Sequence, residues 1–329
     1  MYEQYFRDII GHGAIKERLI RLMEKERLPH AMIFAGPSGV GKTMMAFAVA
    51  SALAGRRVFA GQDMKGDGPF AADGDEAYYV APQGAMLKVD QFRQLQSRLI
   101  LQGRVGCMRV CIIDHVETMN AEFANRMLKI LEEPPRGVCF ILVTDQPSLL
   151  LPTIVSRCAE IAFEPVGDAE LTEGLLRLRG GRPADYEQAV AWGGGIVQSV
   201  LAHLDGGGGQ EAARALEFLR IAATHRCPYA KWLSVCADMT ETETIETLRW
   251  AGMFLRDMAV LRSGAEPSLL RLKRHTDDMM KLMDYWTDEA IFAMLRAFDE
   301  GMEAAGRHVN TRLVWDYVCI QCIQAKGGI

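Results

Sequence analysis

This sequence of 329 residues contains no apolar run long enough to span a membrane. Its opening, Met1-Tyr2-Glu3-Gln4-Tyr5-Phe6-Arg7-Asp8, lacks the architecture of a secretory signal. There is no surplus of positive charge: 37 Lys and Arg stand against 42 Asp and Glu, a net charge of −5. A chain-wide basic footprint for nucleic acid is thereby excluded, so contact with DNA has to come from a local patch or through partners. No cysteine lies between residues 55 and 106, so no cysteine cage for zinc can form there. The seven histidines form no ligand cluster. The eight cysteines sit mostly inside apolar runs, which suits buried thiols in a reducing compartment. Cys319-Ile320-Gln321-Cys322 has the spacing of a metal or redox pair but falls within an apolar helix pattern without further ligands, and reads as core. No internal repeat is present. With 49% hydrophobic and 24% charged residues, the expectation is a soluble cytoplasmic protein of two or three domains.

What the chain does have is Gly36-Pro37-Ser38-Gly39-Val40-Gly41-Lys42-Thr43, which fits G-x-x-x-x-G-K-[ST] without a mismatch. An apolar strand, Ala31–Ala35, precedes it and a buried helix, Met44–Leu53, follows, which is the context this phosphate-binding motif requires. The glycines let the backbone N–H groups and the positive end of the helix face a row of phosphates. Lys42 is placed to reach the β- and γ-phosphates and Thr43 to ligate Mg²⁺, so the implied cofactor is ATP or ADP with Mg²⁺.

Downstream, Arg109–Asp114 reads as a buried strand ending in a carboxylate, which suits a second Mg²⁺ ligand. Val138–Val143 is another such strand, closing on Thr144-Asp145, and Ala159–Phe163 is a last one. Helices fall at about 14–27, 91–101 and 121–133. Apolar strands alternating with helices indicate an α/β fold with a parallel sheet covered on both faces. Ligands of such sheets bind where the carboxyl ends of the strands would gather the phosphate loop, Asp114 and Thr144. Residues 55–84, rich in glycine and acidic side chains, read as a long loop with a brief strand at Tyr78–Val80. After Pro165 strand signals cease. Residues 168–204 suggest two short helices around Gly193-Gly194-Gly195, and Gly206–Gly209 a flexible linker. Beyond it the pattern is helical throughout. The boundaries are thus 1–165, 166–205, 206–209 and 210–329.

His30–Pro37, Asn125-Arg126-Met127-Leu128-Lys129-Ile130-Leu131-Glu132-Glu133-Pro134-Pro135 and Ser156-Arg157-Cys158 occur here in one order. Together they resemble the bacterial clamp-loader ATPases of the AAA+ class, which include the γ/τ and δ′ subunits of DNA polymerase III. The likeness is strong over about residues 6–165 and weak over the helical remainder, where His308-Val309-Asn310-Thr311-Arg312 is similar to part of the family's collar. The resemblance implies an AAA+ ATPase core, a small helical lid and an all-helical collar. It also implies a hetero-pentamer with γ/τ and δ subunits that opens a sliding clamp and places it on primed DNA. Arg157 then corresponds to an arginine finger acting in a neighbour's site, and Thr144 to sensor 1.

Three departures from the family are visible. Catalytic members follow the strand-end Asp with a Glu, where this chain has His115. Glu117 is two residues further on and, if helical, points elsewhere. Members with an active site carry an arginine after the glycine turn that Gly193-Gly194-Gly195 matches, where this chain has Gln198. The zinc module that family members insert after the phosphate loop is replaced by Gly61–Gly74. The reading that accommodates all three is a δ′-type subunit that binds nucleotide, hydrolyses it weakly or not at all, and supplies Arg157 in trans. The alternatives are an active γ/τ-like motor, and an ATP-dependent DNA remodeller that works without a clamp.

Overall fold

The computed structural model describes residues 2–59, 70–74, 76–84, 86–100, 108–205, 209–225, 227–266, 269–307 and 309–326. Two compact units emerge, one formed by Met1–Asp185 with Gly193–Ser199 and the other by Tyr186–Trp192 with Val200–Ile329.

In chain order the first unit runs α1 (Gly13–Glu24), β1 (Ala31–Ala35), α2 (Lys42–Ala54), β2 (Phe70–Asp73), β3 (Ala77–Val80), α3 (Val89–Ile100), β4 (Arg109–Ile113), α4 (Ala121–Glu132), β5 (Val138–Thr144), α5 (Pro152–Val155) and β6 (Ala159–Ala162). The strand order is β2-β3-β4-β5-β1-β6. Every residue of β1, β4 and β5 is buried, which is why these strands read as continuous apolar runs. β1 lies between β5 and β6, and β4 between β3 and β5, all in parallel. Parallel pairing requires crossovers, which the intervening helices supply. The carboxyl ends of β1, β4 and β5 therefore share one edge, the side on which open α/β sheets take ligands.

Two expectations change here. Residues 55–84 are not simply a loop: β2 pairs antiparallel with β3, Phe70 opposite Val80 and Asp73 opposite Ala77. Gly74, at φ 61, turns the chain between them, so the Asp73-Gly74 pair was a hairpin signal that the surrounding glycines obscured. Of the expected Gly61–Gly74 loop, residues 61–69 lie outside the described residues. Between 168 and 204 there are three helices instead of two: α6 (Asp168–Arg179), α7 (Pro183–Gly193) and α8 (Val197–Leu204). Gly180, at φ 72, ends α6, and Pro183 opens α7 in its first turn, where a missing N–H costs nothing.

The second unit continues with α9 (Gly209–Thr224), α10 (Pro228–Cys236), α11 (Glu241–Arg262), α12 (Thr276–Met283), α13 (Asp288–Gly306) and α14 (Thr311–Ala325). Gly206–Gly208 of the expected linker and His308 of the collar-like stretch lie outside the described residues, while Gly209 opens α9. The core of this unit holds all five tryptophans of the chain, Trp192 among them, stacked on Trp250 with ring centroids 3.6 Å apart. No helix among the described residues is long and apolar enough to cross a membrane.

Candidate nucleotide site

The phosphate loop joins β1 to α2, and its shape rests on residues without side chains. A Cβ on Gly36 would come within 2.2 Å of the Phe163 carbonyl oxygen, and one on Gly39 within 2.9 Å of the Gln198 Cβ. Lys42, 4% exposed, turns its ammonium back into the loop. There Nζ donates to the carbonyls of Gly36 at 2.8 Å and Pro37 at 2.7 Å, and to Asp145 Oδ1 at 2.5 Å. Asp145 follows directly on β5, whose last residue, Thr144, stands beside Ala35 of β1 and accepts from the Gly36 N–H at 3.3 Å.

Asp114, at the end of β4, gathers three donors. Thr43 Oγ1 and the Tyr79 hydroxyl both donate to its Oδ2, at 3.1 and 2.9 Å, and the His115 N–H donates to its Oδ1 at 3.0 Å. Burial, with the Asp114 carboxylate beside it, pushes the Tyr79 phenol well up, so it stays a proton donor. Thr43 and Asp114 are thus a hydroxyl and a carboxylate within one coordination sphere, the hard oxygen donors that suit Mg²⁺ beside a phosphate. The site fits the Mg²⁺-nucleotide implied by the loop.

His115 adopts the left-handed region at φ 50, and the 3-10 turn Val116–Thr118 follows. That kink brings Glu117 back toward the sheet edge, contrary to the expectation that it points elsewhere. Thr144 Oγ1 donates to Glu117 Oε2 at 2.6 Å, and His115 Nδ1 meets Glu117 Oε1 at 3.0 Å. The hydrogen bond to the Glu117 carboxylate raises the His115 pKa to about 9, against the opposing effect of burial. In its protonated form the imidazole has no lone pair to act as a base. Burial alone would raise the Glu117 carboxyl; its bonds to His115 and Thr144 outweigh that and hold it below the usual range.

Gln198, at the start of α8, donates its backbone N–H to the Gly39 carbonyl at 3.0 Å and so stands against the loop. Gly36–Thr43, Asp114, His115, Thr144 and Gln198 thus meet around one sheet edge. Arg157 has other partners, Glu132 Oε1 of α4 at 2.7 Å and the Thr153 carbonyl at 2.9 Å. Tyr79, Glu117 and Asp145 are residues for which sequence reasoning found no role. Asp145 was legible as the residue after a strand-end Thr, but its pairing with Lys42 across 103 positions was not. Among the described residues, no group of three or more His, Cys, Asp or Glu could hold a metal by itself.

Residues 11–167 match the family model described as DNA polymerase III, delta subunit. Over these residues the chain is similar to the DNA polymerase III clamp-loader family. It is similar to the DNA polymerase III subunit delta′ of Pseudomonas aeruginosa, 36% identical over 173 residues that cover 50% of this chain and 53% of that protein. The delta′ subunit of Bacillus subtilis is 31% identical over 165 residues, 49% of this chain and 50% of its own length. The tau/gamma subunit of Haemophilus influenzae is 29% identical over 184 residues, which cover 53% of this chain and 26% of that protein. The chain thus spans about half the length of the delta′ relatives. A solved gamma-subunit-related protein from Thermotoga maritima aligns over 94% of this chain and 99% of its own, at 14% identity and a TM-score of 0.46, too distant a likeness to carry a conclusion.

Proposed function

We propose that this chain is a delta′-type clamp-loader subunit that binds ATP or ADP with Mg²⁺ yet turns it over very slowly, and that it assists a neighbouring subunit's hydrolysis through Arg157. In this reading it sits in a hetero-pentamer with γ/τ and δ subunits and acts on a sliding clamp and primed DNA only through that complex.

One observation carries the reading: a complete phosphate loop joined to Thr43 and Asp114 has a histidine, His115, where the family's catalytic members place a carboxylate. Bound Mg²⁺ would neutralise phosphate charge in the manner common to such sites. The chain's own residues do the remainder. Thr43 and Asp114 orient the cation, the loop amides and Lys42 hold the phosphates, and Gln198 braces Gly39 from the lid side. The two carboxylates beside His115 are already engaged: Asp114 accepts from three donors, and both oxygens of Glu117 have partners.

The γ/τ-like motor has one observation in its favour, that Glu117 does reach Thr144. Steady-state hydrolysis by the isolated chain separates the two. The expected turnover lies well below ~1 s⁻¹, the low end of ordinary enzymes, and a rate at or above it supports the motor instead.

A further inference from the structure

A threonine hydroxyl carries one proton, and in this site it is already given away. Thr144 Oγ1 donates to Glu117 Oε2 at 2.6 Å while accepting from the Gln146 N–H at 3.1 Å. The acceptor cannot drift off. The Glu117 side chain is only 6% exposed, and its other oxygen is pinned by His115 Nδ1 at 3.0 Å. The position of this pair in the site follows from the strands. Thr144 stands beside Ala35, its carbonyl takes the Gly36 N–H, and the next residue, Asp145, meets the loop lysine. Thr144 and Glu117 therefore lie at the end of the site that Lys42 serves, where the outermost phosphate of a nucleotide belongs. A third phosphate arriving there meets a carboxylate of its own sign and a hydroxyl with no proton to offer. Loss of a hydrogen bond to a charged group, with a like charge added, is a large term in a buried site.

We propose that Glu117 sets the nucleotide preference of this site, withholding the Thr144 proton and opposing a third phosphate, so that the chain takes nucleoside diphosphates in preference to triphosphates. The inference rests on the nucleotide-binding reading above. Its residues are a carboxylate and a hydroxyl that the phosphate-loop motif does not include.

Titration calorimetry of the whole chain with Mg²⁺–ADP and with the Mg²⁺ complex of a non-hydrolysable ATP analogue tests it. The wild type is expected to bind the diphosphate at least as tightly as the triphosphate. Glu117→Gln keeps the shape, places an amide donor on Thr144 Oγ1 and frees the hydroxyl proton, and should move the preference toward triphosphate by about tenfold. Thr144→Val should leave the preference unchanged in the wild type but abolish the shift in the Glu117→Gln background, a coupling that a merely structural role for Glu117 does not produce. Three results overturn the proposal while leaving nucleotide binding intact: a wild type that strongly prefers triphosphate, a Glu117→Gln chain with an unaltered ratio, or selective loss of triphosphate affinity in Thr144→Val alone. The last keeps the question answerable should Glu117→Gln fail to fold. A wild type that binds neither nucleotide overturns the binding reading itself, and this proposal with it.

Discussion

At the scale of single residues, the acids around the loop divide the work between them. Asp145 neutralises Lys42, the cation meant for phosphate, in a contact whose lysine is 4% exposed and whose carboxylate is 21% exposed. Such a pair is shielded from water, so a phosphate has to displace Asp145 to reach the ammonium. Asp145→Asn should therefore tighten binding of ADP and of a triphosphate alike, by roughly tenfold, because a competing charged acceptor is removed. This uniform effect differs from the selective one expected at Glu117, and calorimetry with both nucleotides measures it. Weaker binding in Asp145→Asn would show that the carboxylate instead holds Lys42 in place for the ligand. The positions of Lys42 and Thr43 follow from a fixed motif spacing, and that of Asp114 from the end of a buried apolar strand. Glu117 was not legible in the sequence, since its direction depends on a positive φ at His115 that no residue type at that position announces.

At the scale of elements, legibility tracked how completely an element is buried. β1, β4 and β5 were readable because every residue is apolar or sealed in, whereas β2 is a four-residue hairpin partner set among glycines. Some helix ends carry a reciprocal cap. Thr240 and Glu243 form one at the start of α11: Thr240 Oγ1 accepts the Glu243 N–H at 3.2 Å and Glu243 Oε2 accepts the Thr240 N–H at 2.9 Å. Glu243 also takes Arg214 of α9 at 2.8 Å, and Arg214 first, then Thr240, draws its pKa from 4.5 to about 2. A carboxyl whose pKa is lower in the folded state stabilises above its ordinary value and loses that contribution as pH falls through the folded one. Glu243→Gln should thus cost about 1 kcal/mol at pH 7, the usual worth of a cap, with the gap to wild type closing between pH 5 and pH 2. Thermal unfolding followed by circular dichroism at several pH values reads this out. A penalty that stays constant over that range would mean the cap works without its charge.

Another element crosses an expected boundary. α7 was read as part of the lid, yet its Trp192, 3% exposed, belongs to the core of the second unit. Trp192→Ala should destabilise that unit by about 3–5 kcal/mol, as loss of a buried tryptophan does, while Trp192→Phe retains most of the stability. Denaturant unfolding of the three proteins gives the comparison. A cost near zero for the alanine would place the start of this core after Gly209. The sequence pointed to Gly206–Gly209 because a run of glycine is conspicuous, whereas a helix whose residues divide between two units has no compositional mark.

At the scale of the whole molecule, the testable statement is that this chain acts on a site it does not own. Arg157, 35% exposed, is paired with Glu132, 52% exposed. A surface pair of this kind is worth about 0–1 kcal/mol, so little holds the guanidinium back from a phosphate offered by a neighbour. In a loader reconstituted with clamp and primed DNA, Arg157→Ala should lower stimulated hydrolysis by the share of one site while leaving this chain's own nucleotide affinity unchanged. Arg157→Lys should rescue poorly, because a point charge does not reproduce a planar fork. Equal rates in an intact assembly would reduce Ser156–Cys158 to a structural turn.

The crowding of every tryptophan into one unit has an optical consequence. Trp192, Trp232, Trp250, Trp286 and Trp315 are all buried in one core, so excitation selective for tryptophan lights an interior made wholly of the helical unit. The unit with the phosphate loop contributes tyrosine alone and is dark under that illumination. Any change in tryptophan emission on adding a nucleotide is then reported by the helical unit alone, and the unlabelled chain carries its own detector.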